Sequence, residues 1–143
     1  MAAKVLTYGS NLLKLLFNAT AYANVADNAA SSPLTNLYAS LHTTSPGSGG
    51  NQLTNEAAYT SYARVAVART TGGWTVTSNS VSPVATISFP AATGGSETEQ
   101  YFGIGTASSG AGVLLYFGTI SPTIAVANGV TPQLTTASTI TET

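Results

Sequence analysis

The chain has 143 residues, of which only 6% are charged, with a formal net charge of −1, one histidine and no cysteine. An ordinary soluble domain carries about 25% charged residues, so the composition leaves little stock for pKa-tuned catalysis, for metal ligands or for the basic footprint that nucleic acid demands. It excludes disulfide and thiol chemistry, and its weak self-repulsion favours a structural protein that works in an assembly.

Residues 1–36 are expected to form an N-terminal helix or arm and a linker, and residues 37–143 a β domain. Ser10 is placed to cap a helix by accepting a free amide of its first turn. Leu12, Leu13, Leu16 and Phe17 share one face of that helix, with Lys14 opposite. The stripe suits packing on the chain's own domain and also docking on a neighbouring subunit, which makes Leu12, Leu16 and Phe17 candidate interface residues. Lys14 interrupts any leader-like apolar core. No run approaches the roughly 18 apolar residues of a membrane span, so no membrane partner is expected. Asn24 to Pro33 reads as a small-residue linker.

The second region reads as short strands and turns. Leu37–Thr43 alternates Leu37, Ala39 and Leu41 against Tyr38, Ser40 and His42, which puts His42 on the exposed or interface side. A loop at 45–50 precedes a strand at Ala63–Arg69. Thr71-Gly72-Gly73 suggests a hairpin into Trp74–Ser78. Val84–Phe89, Tyr101–Thr106 and Val113–Thr119 follow as strands. Val113-Leu114-Leu115-Tyr116-Phe117 has the continuous apolar character of a strand covered on both faces. Thr123–Ala127 leads into Asn128-Gly129, a strong hairpin signal. About seven to eight strands at this spacing predict a mainly β fold, an antiparallel β-sandwich or barrel with an N-terminal helix.

Few groupings could carry chemistry. His42 alone could serve a triad, but no nucleophile motif accompanies it. Glu97 and Glu99 would share a strand face, yet beside Gly94-Gly95 they read as a solvated turn. The glycines of Gly103-Ile104-Gly105 and Gly110-Ala111-Gly112 complete neither a dinucleotide fingerprint nor a P-loop, and read as kinks and turns. Trp74 reads as core. No catalytic residue, cofactor or metal is expected. Glu56, Tyr62 and Arg64 form the most informative group, because arginine makes forked bonds to carboxylates and stacks on aromatic rings. They are expected to pair locally or across a subunit interface.

Several blocks in fixed order carry a resemblance. They are Leu37 to Thr43, Ser45-Pro46-Gly47, Glu56, Tyr62-Ala63-Arg64-Val65, Trp74, Ile87 to Thr93, Gly103-Ile104, Gly112 to Gly118 and Asn128-Gly129. Over residues 37–130 the chain resembles small virion structural proteins of tailed bacteriophages, a type often labelled tail fibre protein and related to capsid decoration, or cement, proteins. The resemblance implies a virion protein without catalytic residues. The expected role is capsid decoration on the outer capsid surface. A homotrimer would bind the major capsid protein and stabilise the assembled head, with the Leu12–Phe17 helix or the Thr131–Thr143 tail as reaching arms. A tail or tail-fibre structural or adhesion protein is the alternative, with Tyr59, Tyr62 and Trp74 facing host glycans.

Overall fold

The computed structural model describes residues 6–22 and 33–143, so most of the expected linker lies outside the described residues. Within them the chain forms helix α1 (Leu6–Asn18) and strands β1 (Asn36–His42), β2 (Val65–Ala68), β3 (Trp74–Thr77), β4 (Ser80–Pro83), β5 (Ile87–Ser88), β6 (Glu97–Gly105), β7 (Leu114–Val126), β8 (Gln133–Leu134) and β9 (Ile140–Thr141). The strands form three sheets, ordered β2-β1-β6-β7, β3-β4-β9 and β5-β8. The expected mainly β, antiparallel class is therefore the one observed. The four-stranded sheet is open, which fits a sandwich and not a closed barrel. The chain divides into two compact units, residues 1–36, 67–86 and 135–143 in one, and 37–66 and 87–134 in the other.

The first unit is built on α1. Its fully buried positions are Gly9, Leu13 and Phe17, four residues apart, with Leu12 and Leu16 half-buried beside them and Lys14 exposed. Phe17 meets Trp74 edge to face, with ring centroids 4.8 Å apart, so the helix packs on β3 of its own chain and Trp74 is core. The helix already runs at Leu6, so Ser10 lies inside it and does not cap it. The reason is tertiary. Gly9 lies against Asn79 and Glu142, and burial of that face outweighs the poor helix propensity of Gly and Ser.

The end of α1 is closed by Arg69, a residue the sequence did not single out. Its guanidinium donates from Nη2 to the Leu15 carbonyl at 2.8 Å, from Nε to the Leu16 carbonyl at 2.5 Å and from Nη1 to the Leu34 carbonyl at 2.9 Å. Last-turn carbonyls have no partner inside a helix, and a cation beside them also answers the negative end of the macrodipole. Ala19 turns left-handed (φ 52°) and the Thr20 amide reaches back to the Lys14 carbonyl.

The hairpin of this unit joins β3 to β4 through Ser78-Asn79, with Trp74 opposite Pro83 and Thr77 opposite Ser80. The expected hairpin at Thr71–Gly73 is a tight turn, but β2 and β3 belong to different sheets. Ser80–Pro83 escaped the sequence reading because a strand ending in proline scores poorly. β9 pairs with β4, and Asn79 exchanges hydrogen bonds with the Glu142 backbone.

In the second unit β1 is central. β6 pairs along one side, from Tyr38 opposite Gly105 to His42 opposite Tyr101, and Glu56 bridges His42 on the other. Both faces of the strand are also buried from Ala39 to His42. His42 is fully buried, contrary to the exposure expected from alternation, which holds only for a strand with one solvated face. β7 merges the two strands expected at 113–119 and 123–127. It lies at the sheet edge, and its apolar run is half-buried or exposed where two covered faces were expected. Asn128-Gly129 does turn, closed by the Val130 amide on the Ala127 carbonyl, with Gly129 at φ 87°. The turn makes no hairpin, however, because the Gly129 amide is held by the Ala92 carbonyl and the next strand, β8, pairs with β5. With β8 and β9 both paired inside the chain, the Thr131–Thr143 tail is not a free arm.

Replacing Arg69 with methionine keeps much of its apolar stem but leaves the carbonyls of Leu15, Leu16 and Leu34 without these donors. Hydrogen bonds to charged groups contribute about 1.5–3 kcal/mol, so a loss on that order is expected in chemical denaturation. Arg69→Lys should recover only part of it, because an ammonium cannot span the three carbonyls in one plane.

A buried polar network beside the central strand as candidate functional site

The segment after the 45–50 loop returns along the end of β1. The Thr43 amide donates to the Asn55 carbonyl at 3.0 Å and the Ala57 amide to the Leu41 carbonyl at 2.9 Å. This pairing carries Glu56 to a position facing Tyr62 and Arg64. Arg64 grips Glu56 as a fork, Nε to Oε1 at 2.6 Å and Nη2 to Oε2 at 2.8 Å. The Tyr62 hydroxyl donates to the same Oε1 at 2.9 Å and accepts the Leu41 amide at 3.1 Å. The side chains of Arg64 and Glu56 are 2% and 11% exposed, so the pair sits in a low-dielectric setting and not on a screened surface. The local pairing expected for this group is thus observed. Burial pushes the Tyr62 hydroxyl well above its ordinary pKa, so it remains a donor.

The same guanidinium pins the loop between β6 and β7. Nη1 donates to the Ala107 carbonyl at 2.9 Å and Nη2 to the Gly110 carbonyl at 2.7 Å. Gln52, fully buried, holds that loop from another direction. Its Nε2 donates to the Ala107 carbonyl at 3.3 Å, its Oε1 accepts the Ala107 amide at 2.9 Å, and its backbone amide donates to the Ala111 carbonyl at 2.8 Å. The carboxamide imitates a strand partner. It fits because Gly105 and Gly112 have no side chain where it lies. The 107–111 segment, exposed from Ser108 to Ala111, is therefore fixed by two buried side chains.

Ser40 and His42 form a second pair in the network. The Ser40 hydroxyl and His42 Nε2 are 2.9 Å apart, and His42 Nδ1 lies 2.9 Å from the Thr54 carbonyl. A carbonyl only accepts, so Nδ1 carries the proton and Nε2 accepts from Ser40. Burial lowers the His42 pKa and favours this neutral form. The spacing is that of a nucleophile and its base, but both side chains are 0% exposed. A Cβ on Gly103 would come within 2.6 Å of the Ser40 hydroxyl and 2.7 Å of His42 Nε2, so the bare glycine makes room for the pair.

Glu97 and Glu99 project from one face of β6, as their spacing requires, but neither belongs to a solvated turn. Glu97 Oε1 accepts the amides of Ala58 at 2.8 Å and Tyr59 at 2.7 Å. Glu99 is fully buried, and neither carboxyl oxygen accepts a hydrogen bond among the described residues, which leaves the neighbouring Glu97 as the group its protonated form can donate to. Burial, then the adjacent Glu97, pushes its pKa up to about 8. The same surroundings raise the Tyr59 hydroxyl to about 12, first by burial and then by Glu99 and Glu97. The sequence signal was present in the i, i+2 spacing. What concealed the burial is that the apolar positions of β6, Phe102 and Ile104, fall on the other parity of the strand, so alternation does not mark Glu99 as buried.

Of the six candidate interface residues, Glu56, Tyr62 and Arg64 meet in this network, while Leu12, Leu16 and Phe17 lie along α1 in the other unit, with Phe17 fully buried. Tyr59 and Trp74 are 3% and 2% exposed, and Tyr62 is half-buried and stacked on Phe89. Arg69, Gln52 and Thr54 carry structural roles that composition alone did not mark. Among the described residues no group of three or more metal-ligating acidic or histidine side chains converges, and no helix is long and apolar enough to cross a membrane. Residues 7–142 match the protein-family model described as Podophage GP4 fiber I protein gp80. A search among curated proteins finds no match.

Removing one partner of a buried ion pair typically costs about 3–5 kcal/mol, and Glu56→Ala is expected to lose stability on that scale by strandng the Arg64 guanidinium. Glu56→Gln should lose less, since it keeps one acceptor for the fork; urea titration of the two variants checks the order. Glu99 gives a pH signature. A carboxyl whose folded pKa is raised binds its proton more tightly in the native state, so stability falls as pH rises from the ordinary carboxylate range to about 8 and levels off above it. Glu99→Gln should remove that slope and be the more stable protein at pH 8, by a few kcal/mol at ~1.4 kcal/mol per pKa unit. Parallel melting curves from pH 5 to about pH 9 test this, and equal slopes for the two proteins would refute it.

Proposed function

Because the chain belongs to the Podophage GP4 fiber I protein gp80 family, and so to the small structural proteins of phage virions, we propose that it is a non-catalytic building element of the tail fibre. The observation that carries this reading is the family match, which spans residues 7–142 and bears a fibre description. The geometry supports a mechanical role. The charged fork of Glu56 and Arg64 is turned inward to hold the 107–111 loop, and the Ser40–His42 pair is closed off from any substrate. From Gln100 to Thr141 there is no charged residue, so a long neutral surface is available for contact with other virion proteins.

Capsid decoration, with the major capsid protein as partner, draws support only from the sequence resemblance, and the family description favours the tail. Aromatic stacking on host glycans has little support, since Tyr59 and Trp74 are buried. Cryo-electron microscopy of purified particles, with an antibody to this chain as a marker, distinguishes the roles. Label confined to fibres at low copy number is expected. A regular array of many copies over the head would replace the fibre reading with decoration.

A further inference from the structure

The turn that follows β7 carries an inference that is independent of the fibre reading. Asn128 is the one asparagine of the chain that is followed by glycine. The carboxamide of an asparagine can be attacked by the amide nitrogen of the next residue, and glycine leaves that nitrogen unobstructed because it has no Cβ. The electrophile is free here. Asn128 is exposed, and its carboxamide makes no hydrogen bond among the described residues. Asn79, which precedes the small Ser80, is the useful contrast. Its Nδ2 donates to the Glu142 carbonyl at 2.9 Å, and its own carbonyl accepts the Glu142 amide at 2.8 Å.

The nucleophile, by contrast, is held. The Gly129 amide donates to the Ala92 carbonyl at 2.7 Å, and the Ala92 amide donates to the Val130 carbonyl at 2.8 Å. Ala92 is buried, and the same stretch is tied to the chain again by the Phe89 amide on the Pro132 carbonyl at 2.9 Å. The acceptor of the Gly129 hydrogen therefore belongs to a fixed segment. Attack requires the Gly129 nitrogen to lose that hydrogen. A main-chain amide bonded in this way gives up its proton when the structure around it opens locally.

We propose that Asn128-Gly129 is a self-modification site gated by the hydrogen bond from the Gly129 amide to the Ala92 carbonyl, and that Asn128 converts to aspartate and isoaspartate from a locally opened state. In that state hydroxide takes the Gly129 amide proton, and the nitrogen lone pair forms a bond to Asn128 Cγ. The Cγ–Nδ2 bond breaks, and the departing nitrogen takes a proton from water and leaves as ammonia. Water then adds to one of the two carbonyl carbons of the cyclic imide. Ring opening at Cγ gives aspartate. Ring opening at the main-chain carbonyl carbon gives isoaspartate, with the chain running through the former side chain. The sum is one water consumed and one ammonia released, with no change of oxidation state. Either product is a carboxylate, the first charge between Gln100 and Thr141. Isoaspartate also adds a carbon to the main chain just before the Gly129 nitrogen, which displaces that nitrogen from the Ala92 carbonyl. The neutral stretch thus gains charge as the protein ages, at a rate set by the stability of one turn.

The purified full chain is incubated at mildly alkaline pH, native and in unfolding urea, and conversion of Asn128 is followed by peptide mapping and mass spectrometry. Conversion in urea should exceed the native rate roughly tenfold or more, as gating by local opening implies. Gly129→Ala should suppress it in urea, where the added methyl obstructs the nitrogen. In the native protein the Gly129 amide should be protected from hydrogen exchange. Ala92→Val enlarges a buried side chain in the holding segment and should speed native conversion. Urea below the unfolding transition should raise Gly129 exchange and Asn128 conversion together in the wild-type chain, a test that does not depend on how the Ala92 variant folds. Equal rates in native buffer and urea overturn the proposal. So does a Gly129 amide that exchanges freely in the native protein, or conversion that stays flat while Gly129 exchange rises.

Discussion

The forked contact between Arg64 and Glu56 is the constraint on which the second unit depends. With Tyr62 it ties together the Glu56 segment, the Tyr62–Arg64 turn, the end of β1 through Leu41, and the distant 107–111 loop. A buried pair of this kind is weak evidence for net stability, because desolvation of both ions offsets much of their attraction. What it supplies is definition. Every nitrogen of the fork has an acceptor, and no apolar substitute could direct the carbonyls of Ala107 and Gly110 to one point. A loop of Ala, Ser and Gly has almost no side-chain means of holding its own shape.

The first unit solves a similar problem with Arg69. Its guanidinium meets the helix carbonyls of Leu15 and Leu16 directly and answers partial charges of the backbone. In both cases arginine is used for its planar set of donors, which lysine cannot reproduce. Two of the chain's four basic side chains are thus committed to internal backbone positioning. The low charge content and the neutral exterior have a common origin. Charges are few, and several of those present face inward.

The elements legible in the sequence were those set by local chemistry. β1, β2 and β3, the turn at Asn128-Gly129 and the pairing of Glu56 with Arg64 all follow from alternation, turn residues or charge complementarity. What escaped depends on which strand lies beside which. Alternation in β1 predicts one wet face, but both faces are covered from Ala39 to His42, and His42 is buried with its ring held between Ser40 and the Thr54 carbonyl. The apolar run of β7 predicts a strand covered on both faces, and its edge position is decided by pairing partners distant in sequence. Ser10 has the chemistry of a cap but lies within α1, because Gly9 gains contacts on Asn79 and Glu142 that only the folded chain supplies.

Glu99 shows how an unfavourable residue can be held in place by its surroundings. Its strand partner is Ile124, immediately after the bulge in β7, so its own position is tied to the register of the longest strand. Glu97, two residues earlier on the same face, is engaged by the amides of Ala58 and Tyr59 and fixes that end of β6. Beyond Gln100 the inward positions pass to Phe102 and Ile104, whose burial opposes any slip of the strand. The carboxyl is therefore enclosed by a register that its neighbours determine, and retention of a proton beside Glu97 is the means by which a buried acid with no donor near it avoids an uncompensated charge. The cost of that arrangement falls on stability and not on shape, because the strands that enclose Glu99 are positioned by backbone pairing and apolar burial and not by its carboxyl.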